Sequence, residues 1–150
     1  MRTIALSIPE RHKIVDVLLG TNAETFVRET LPNLFSGEKA LFVLDKTFAA
    51  RYPTFISPCA TGKAVFHIIL PSGERTKTFA TAKKIVTECA RLRFERIDAI
   101  VAIGGGKTSD LAGFAASIYQ RGIAFFIIPT TLLAMVDACI GGKTAVNLPG

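Results

Sequence analysis

The sequence predicts an α/β domain, a parallel sheet flanked by helices with a β-hairpin ahead of it. Three observations carry that expectation. Short apolar runs without alternation recur at residues 40–44, 65–70, 97–103 and 123–128, the pattern of strands covered on both faces. Stretches of helical period separate the later runs, and such alternation of strands and helices is what a parallel sheet with crossover helices requires. The 150 residues, 49% hydrophobic and 20% charged, also suffice for one compact domain with its own core.

Taken in order, Ile4, Leu6 and Ile8 recur at every second position, and Ile14, Val17 and Leu19 follow a break at residues 9–13, which predicts two short strands and the hairpin. Thr21 with Glu24 has capping-box spacing and predicts a helix through Phe26, Val27, Leu31 and Leu34. The first buried strand, residues 40–44, ends at Asp45. The second, residues 65–70, contains His67 and ends at Pro71-Ser72-Gly73. Residues 78–93 put Ala82, Ile85, Val86, Cys89 and Leu92 on one helical face. A third strand covers 97–103, a helix 109–120, a fourth strand 123–128 and a short helix 132–139. Such a sheet is Rossmann-like, and its ligands bind beyond the carboxyl ends of the strands.

Composition narrows the function. The net charge of +6 is scattered from Arg2 to Lys143 without aromatic interleaving, which argues against nucleic acid and for a phosphorylated small molecule. Cys59, Cys89 and Cys139 are an odd number without C-x-x-C spacing and read as reduced packing residues. The first residues have no apolar signal core. The most apolar stretch, residues 122–136, is broken by Pro129, Thr130 and Thr131 and is too short for a bilayer of roughly 30 Å. A cytoplasmic protein without a membrane partner is expected.

The chemistry-bearing residues follow the strands. Gly104-Gly105-Gly106 joins the third strand to a helix, and a turn without side chains delivers backbone N–H groups to a helix start, as phosphate or pyrophosphate requires. A plain tight turn is the equal alternative from the glycines alone. A G-x-G-x-x-G frame from Gly104 meets Ser109 at its third glycine, and P-loop frames meet Val101 and Asp137 where glycine is needed, so both standard fingerprints are excluded. Asp110 is placed early in the helix, where a carboxylate also gains from the dipole, and Gly113 permits close packing on the sheet. Pro129-Thr130-Thr131 offers hydroxyls at the end of the fourth strand, followed by Asp137 and Gly141-Gly142-Lys143-Thr144.

Gly104-Gly105-Gly106 with Asp110, Gly113 and Phe114, then Arg121-Gly122, Pro129-Thr130-Thr131-Leu132-Leu133-Ala134, Val136-Asp137 and Gly141-Gly142-Lys143-Thr144, resemble in order and spacing the 3-dehydroquinate synthase family. Gly73-Glu74 and Lys77 extend the match upstream. The resemblance implies that residues 1–150 are the N-terminal NAD-binding domain of a longer enzyme. It implies that Asp45 meets the adenosine ribose, that Glu74 and Lys77 border the nucleotide, and that Gly105, Gly106, Asp110, Thr130 and Thr131 line it. Arg121, Asp137 and Lys143 would face the substrate.

The family reaction converts the heptulosonate phosphate DAHP to 3-dehydroquinate and phosphate in the shikimate pathway, with NAD and a divalent metal, zinc or cobalt. The family's metal ligands, one glutamate and two histidines, are expected beyond Asn147 in a helical part; His12 and His67 lack ligand spacing, so no metal site is expected within 1–150. A homodimer of the full-length enzyme is implied too. Lys107-Thr108-Ser109 stands where the family has apolar residues, and Ala138-Cys139 where a pair of serines is common. A sister sugar-phosphate cyclase, a polyol dehydrogenase, or a nucleotide-binding module without catalysis are the alternatives.

Overall fold

The structure, a computed structural model, describes residues 2–8, 13–20, 22–55, 62–140 and 142–148. β1 (Arg2–Ile8) and β2 (Lys13–Leu19) pair antiparallel, with Arg2 opposite Leu19 and Ile8 opposite Lys13. Their connection lies outside the described residues, as does Cys59.

The first helix, α1 (Ala23–Thr25), is capped by Asn22, whose side-chain oxygen accepts from the N–H groups of Glu24 and Thr25 at 3.0 and 3.2 Å. The expected cap, Thr21, lies outside the described residues, and Asn22 supplies the same chemistry one position later. Winding continues as a π-turn over Phe26–Thr30 and a 3-10 turn over Leu31–Asn33, where Pro32 has no N–H to donate to a regular ladder.

Four strands form the parallel sheet: β3 (Lys39–Asp45), β4 (Ala64–Leu70), β5 (Ala99–Gly104) and β6 (Ala124–Pro129), in the order β4-β3-β5-β6. β5 is buried throughout and β3 through its five central residues, as their unbroken apolar runs require. β4 departs from the expectation of burial on both faces. It is an edge strand, with Ile69 half exposed and His67 open to solvent. β5 also starts two residues later than expected. Asp98 turns inward instead, its carboxylate accepting from the N–H groups of Lys39 at 2.9 Å and Glu95 at 2.7 Å, while Ile97 points out.

Period-two alternation sends the two sides of each strand into different cores. Leu41, Val43, Ile100 and Ala102 pack on α3 (Phe79–Arg91) and α4 (Gly106–Ile118), meeting Ala82, Ile85, Cys89, Leu111 and Ala115. Ala40, Phe42, Leu44, Val101 and Ile103 pack on the opposite side against Val27 and Leu31, with Phe48 of α2 (Lys46–Arg51) at the margin. The result is three layers with the sheet in the middle. α3 runs from its cap Thr78, and its predicted apolar face is the one it buries. α4 begins at Gly106, three residues before the expected Ser109, because the glycine turn itself supplies the helix start. Residues 132–133 are helical and lead into a π-turn over Ala134–Ala138. Among the described residues no helix is long and apolar enough to cross a membrane.

Candidate functional site

Strand connectivity locates the crevice. From β3 the chain goes through α2 to β4 at one edge, then returns over α3 to β5 on the other side of β3. The direction of winding therefore reverses between β3 and β5, and in open parallel sheets ligands bind outside the carboxyl ends at such a point. Asp45 ends β3 there and Gly104 ends β5. The two approach so closely that a Cβ on Gly104 would lie 3.1 Å from Cβ of Asp45 and 2.7 Å from Oγ1 of Thr108.

Gly105 is the N-cap of α4 and, having no side chain, leaves the first turn without a side-chain cap. The first N–H groups of a helix have no partner within it. Thr108 adds an orphan, since its Oγ1 is fully buried and has no hydrogen-bond partner among the described residues. An uncapped helix start, a Cβ-free approach and an unpartnered hydroxyl fit the phosphates of a dinucleotide. The floor is tied to β6, where the N–H of Thr130 donates to the carbonyl of Gly104 at 2.9 Å. Thr131 stands against Gly105, its Cγ2 3.4 Å from where a Cβ would be, and Ala138 stands likewise against Gly106.

The charged residues fall into two pairs. Lys77 forms an ion pair with Asp110, both side chains largely buried, and lies 3.9 Å from the mostly exposed Glu74. Asp110 therefore sits in the second turn of α4, held by a lysine rather than by the helix start that the sequence suggested. The second pair joins Asp45 to Lys107. One Asp45 oxygen caps α2 by accepting from the N–H of Thr47 at 2.8 Å, and the other faces Nζ of Lys107 at 3.6 Å. Lys107 also donates to the carbonyl of Pro71 at 2.5 Å, so one ammonium links the ends of β3 and β4 to the first turn of α4.

After β6 the chain folds back along α4. The methyl of Thr144 fills the space that a Cβ on Gly113 would need, and the N–H of Asn147 donates to the carbonyl of Lys77 at 2.8 Å. Exposed Asp137 directly precedes Ala138, which meets Gly106, and exposed Lys143 directly precedes Thr144, which meets Gly113. Cys139 is half buried beside Ser109 and Asp110. Burial raises its thiol pKa, the Ser109 hydroxyl bonding to it lowers it in part, and the Asp110 charge adds to the rise.

Asp45, Lys77, Gly105, Gly106, Asp110, Thr130 and Thr131 are thus gathered at one end of the sheet, with Glu74 at the rim. Arg121 is not. It precedes β6, at the amino end of that strand, so the six residues of Ala124–Pro129 separate it from Thr130. Its left-handed backbone, with Gln120, ends the short 3-10 turn after α4. Among the described residues no group of three or more His, Cys, Asp or Glu could hold a metal ion. Lys107 is the site residue that sequence reasoning did not assign. Its signal was a cation in the first turn of a helix, which the dipole disfavours unless a carboxylate compensates.

A family model described as 3-dehydroquinate synthase N-terminal matches residues 67–150. The 3-dehydroquinate synthase of Sinorhizobium medicae is 37% identical over 150 residues, covering 99% of this chain and 39% of that protein. Among solved structures, 2-deoxy-scyllo-inosose synthase complexed with carbaglucose-6-phosphate, NAD+ and Co2+ superposes with a TM-score of 0.83 at 28% identity, covering 98% of this chain and 40% of that one. A 2-epi-5-epi-valiolone synthase from Streptomyces hygroscopicus with NAD+ and Zn2+ bound superposes at 0.70, also at 28% identity, covering 89% and 39%. The chain spans about two fifths of the length of these proteins.

Proposed function

Because the chain belongs to the 3-dehydroquinate synthase family, matching its N-terminal part, we propose that it supplies the NAD-binding half of an enzyme converting DAHP to 3-dehydroquinate and phosphate. The observation that carries this is the uncapped glycine turn at the switch point, flanked by Asp45 and by Thr130 and Thr131. NAD held there would supply a transient oxidation: a hydride would pass from a substrate carbinol carbon to the nicotinamide and later be given back to substrate carbon, leaving no net redox change.

The chain's own residues do the positioning. N–H groups at the start of α4 hold the pyrophosphate, Asp45 accepts from the adenosine ribose, and the buried Lys77–Asp110 pair fixes the wall beside the first turns of α4. Lys143 and Asp137, on the return path, face a phosphorylated substrate, the ammonium countering phosphate charge. A divalent metal would act beside the NAD, as in the neighbours bound with Co2+ or Zn2+, but its ligands lie outside the described residues, which hold no group of three or more His, Cys, Asp or Glu for it. A cytoplasmic homodimer and a full-length partner domain complete the reading.

The direct test is phosphate release from DAHP by the full-length protein with NAD. Release that depends on NAD is expected; turnover of another phosphorylated sugar but not DAHP would make it a sister cyclase, the second reading that the 0.83 superposition favours. Residues 1–150 alone are expected to release no phosphate. In the full-length protein, Gly105→Val should weaken NAD at least about tenfold, roughly 1.4 kcal/mol, as read by calorimetry. Equal affinity for both proteins would remove the glycine turn from the site.

A further inference from the structure

We propose that Lys107 sets cofactor selectivity, making this site accept a dinucleotide with a 2′-phosphate as well as one with a free 2′-hydroxyl. The inference rests on the dinucleotide reading above and names a residue that reading leaves without a role. An acidic residue at the end of a strand beside the glycine turn discriminates between the two cofactors by charge: its carboxylate accepts from a ribose hydroxyl and repels a phosphate in the same place. A 2′-phosphate brings close to two negative charges at neutral pH, by analogy with other phosphate monoesters, so an unpaired carboxylate is a strong barrier to it.

Asp45 is not unpaired. One oxygen is occupied by the N–H of Thr47, and the other faces the Lys107 ammonium at 3.6 Å. That ammonium is 11% exposed at its side chain and held in place by the Pro71 carbonyl at 2.5 Å, so its charge stays beside the carboxylate rather than sweeping through solvent. The pair is neutral in sum. An ammonium has three donors; here one is engaged by the Pro71 carbonyl, while Asp45 at 3.6 Å is a charge partner beyond hydrogen-bond distance, so the ammonium keeps donor capacity for an incoming anion. Exposed Lys46 follows Asp45 directly, and the hydroxyls of Thr47 and Ser72 stand 3.5 Å apart at the same rim. The surroundings of Asp45 thus carry more positive charge and more donors than hydroxyl recognition requires.

The test compares dissociation constants for NAD and NADP, by calorimetry on the full-length protein, in wild type, Lys107→Met, Lys107→Arg and Asp45→Asn. Wild type is expected to bind the two within about tenfold of each other, with Lys107→Met widening the ratio at least about tenfold, chiefly through NADP. Lys107→Arg should hold the wild-type ratio and Asp45→Asn shift it toward NADP. The ratio is read within each protein, so partial loss of folded material cancels. An unchanged ratio in Lys107→Met overturns the proposal. Failure of wild type to bind either nucleotide is a different result, and overturns the dinucleotide reading together with it.

Discussion

Gly104 has no room for a side chain. A Cβ there would meet Oγ1 and Cβ of Thr108 at 2.7 and 2.8 Å, both buried and unable to withdraw. Gly104→Ala should therefore destabilise the domain by about 1–3 kcal/mol, as overpacked core sites do, read as a lower urea midpoint. Gly105→Ala is the control, since its Cβ would find only ordinary contact with Thr131 at 3.4 Å, and its midpoint should move by less than about 0.5 kcal/mol. A midpoint for Gly104→Ala as high as the control's would mean that α4 slides freely at its start. These glycines were legible in the sequence as a turn at a strand end; which of them is there for packing and which for access was not, because that depends on Thr108 and Asp45 arriving from elsewhere. Lys77 with Asp110 is a further instance. Each was expected near the nucleotide, yet their pairing across 33 positions has no local signal.

At the scale of elements, the inner strands were easiest to foresee and the edges hardest. β3 and β5 announced themselves because burial on both faces demands unbroken apolar runs. β4 carries a similar run, but Val65 through Ile69 cannot reveal that, among the described residues, the strand pairs with β3 alone. The start of β5 was missed for a different reason. Asp98 has the place of a strand residue in sequence but acts as an internal cap, tying the turn after α3 to the first residue of β3. Its carboxylate is almost fully buried, so Asp98→Ala leaves two backbone N–H groups without their partner. A loss of about 2–4 kcal/mol is expected from denaturant unfolding. Asp98→Asn, which keeps one acceptor, should lose less, and equal losses for both would assign the effect to charge instead.

The whole molecule has a stability limit on the alkaline side. Cys89 lies fully buried between α3 and the sheet, and that burial pushes its thiol pKa up from the ordinary 9.0 to about 12, with the charges of Glu88 and Asp98 adding to the rise. The folded state thus keeps a proton that the unfolded chain releases. Its contribution is fully present below pH 9 and is lost as the pH climbs toward 12, at up to about 1.4 kcal/mol per pH unit. Urea midpoints between pH 8 and 10.5 should therefore fall more steeply for wild type than for Cys89→Ala, even though the variant starts lower through its cavity. Parallel slopes would exclude the thiol as the cause.

The hydrogen bond from Asn147 to Lys77 has a consequence for the order in which the molecule is made. Translation delivers the amino-terminal side first, at about 5–20 residues per second, so the strands and the glycine turn can assemble while the return path is still inside the ribosome. Lys77 then waits several seconds for the partner of its carbonyl. Among the described residues, the wall beside α4 is completed after the glycine turn on the nascent chain, and a cofactor arriving early meets a binding surface still open on that side.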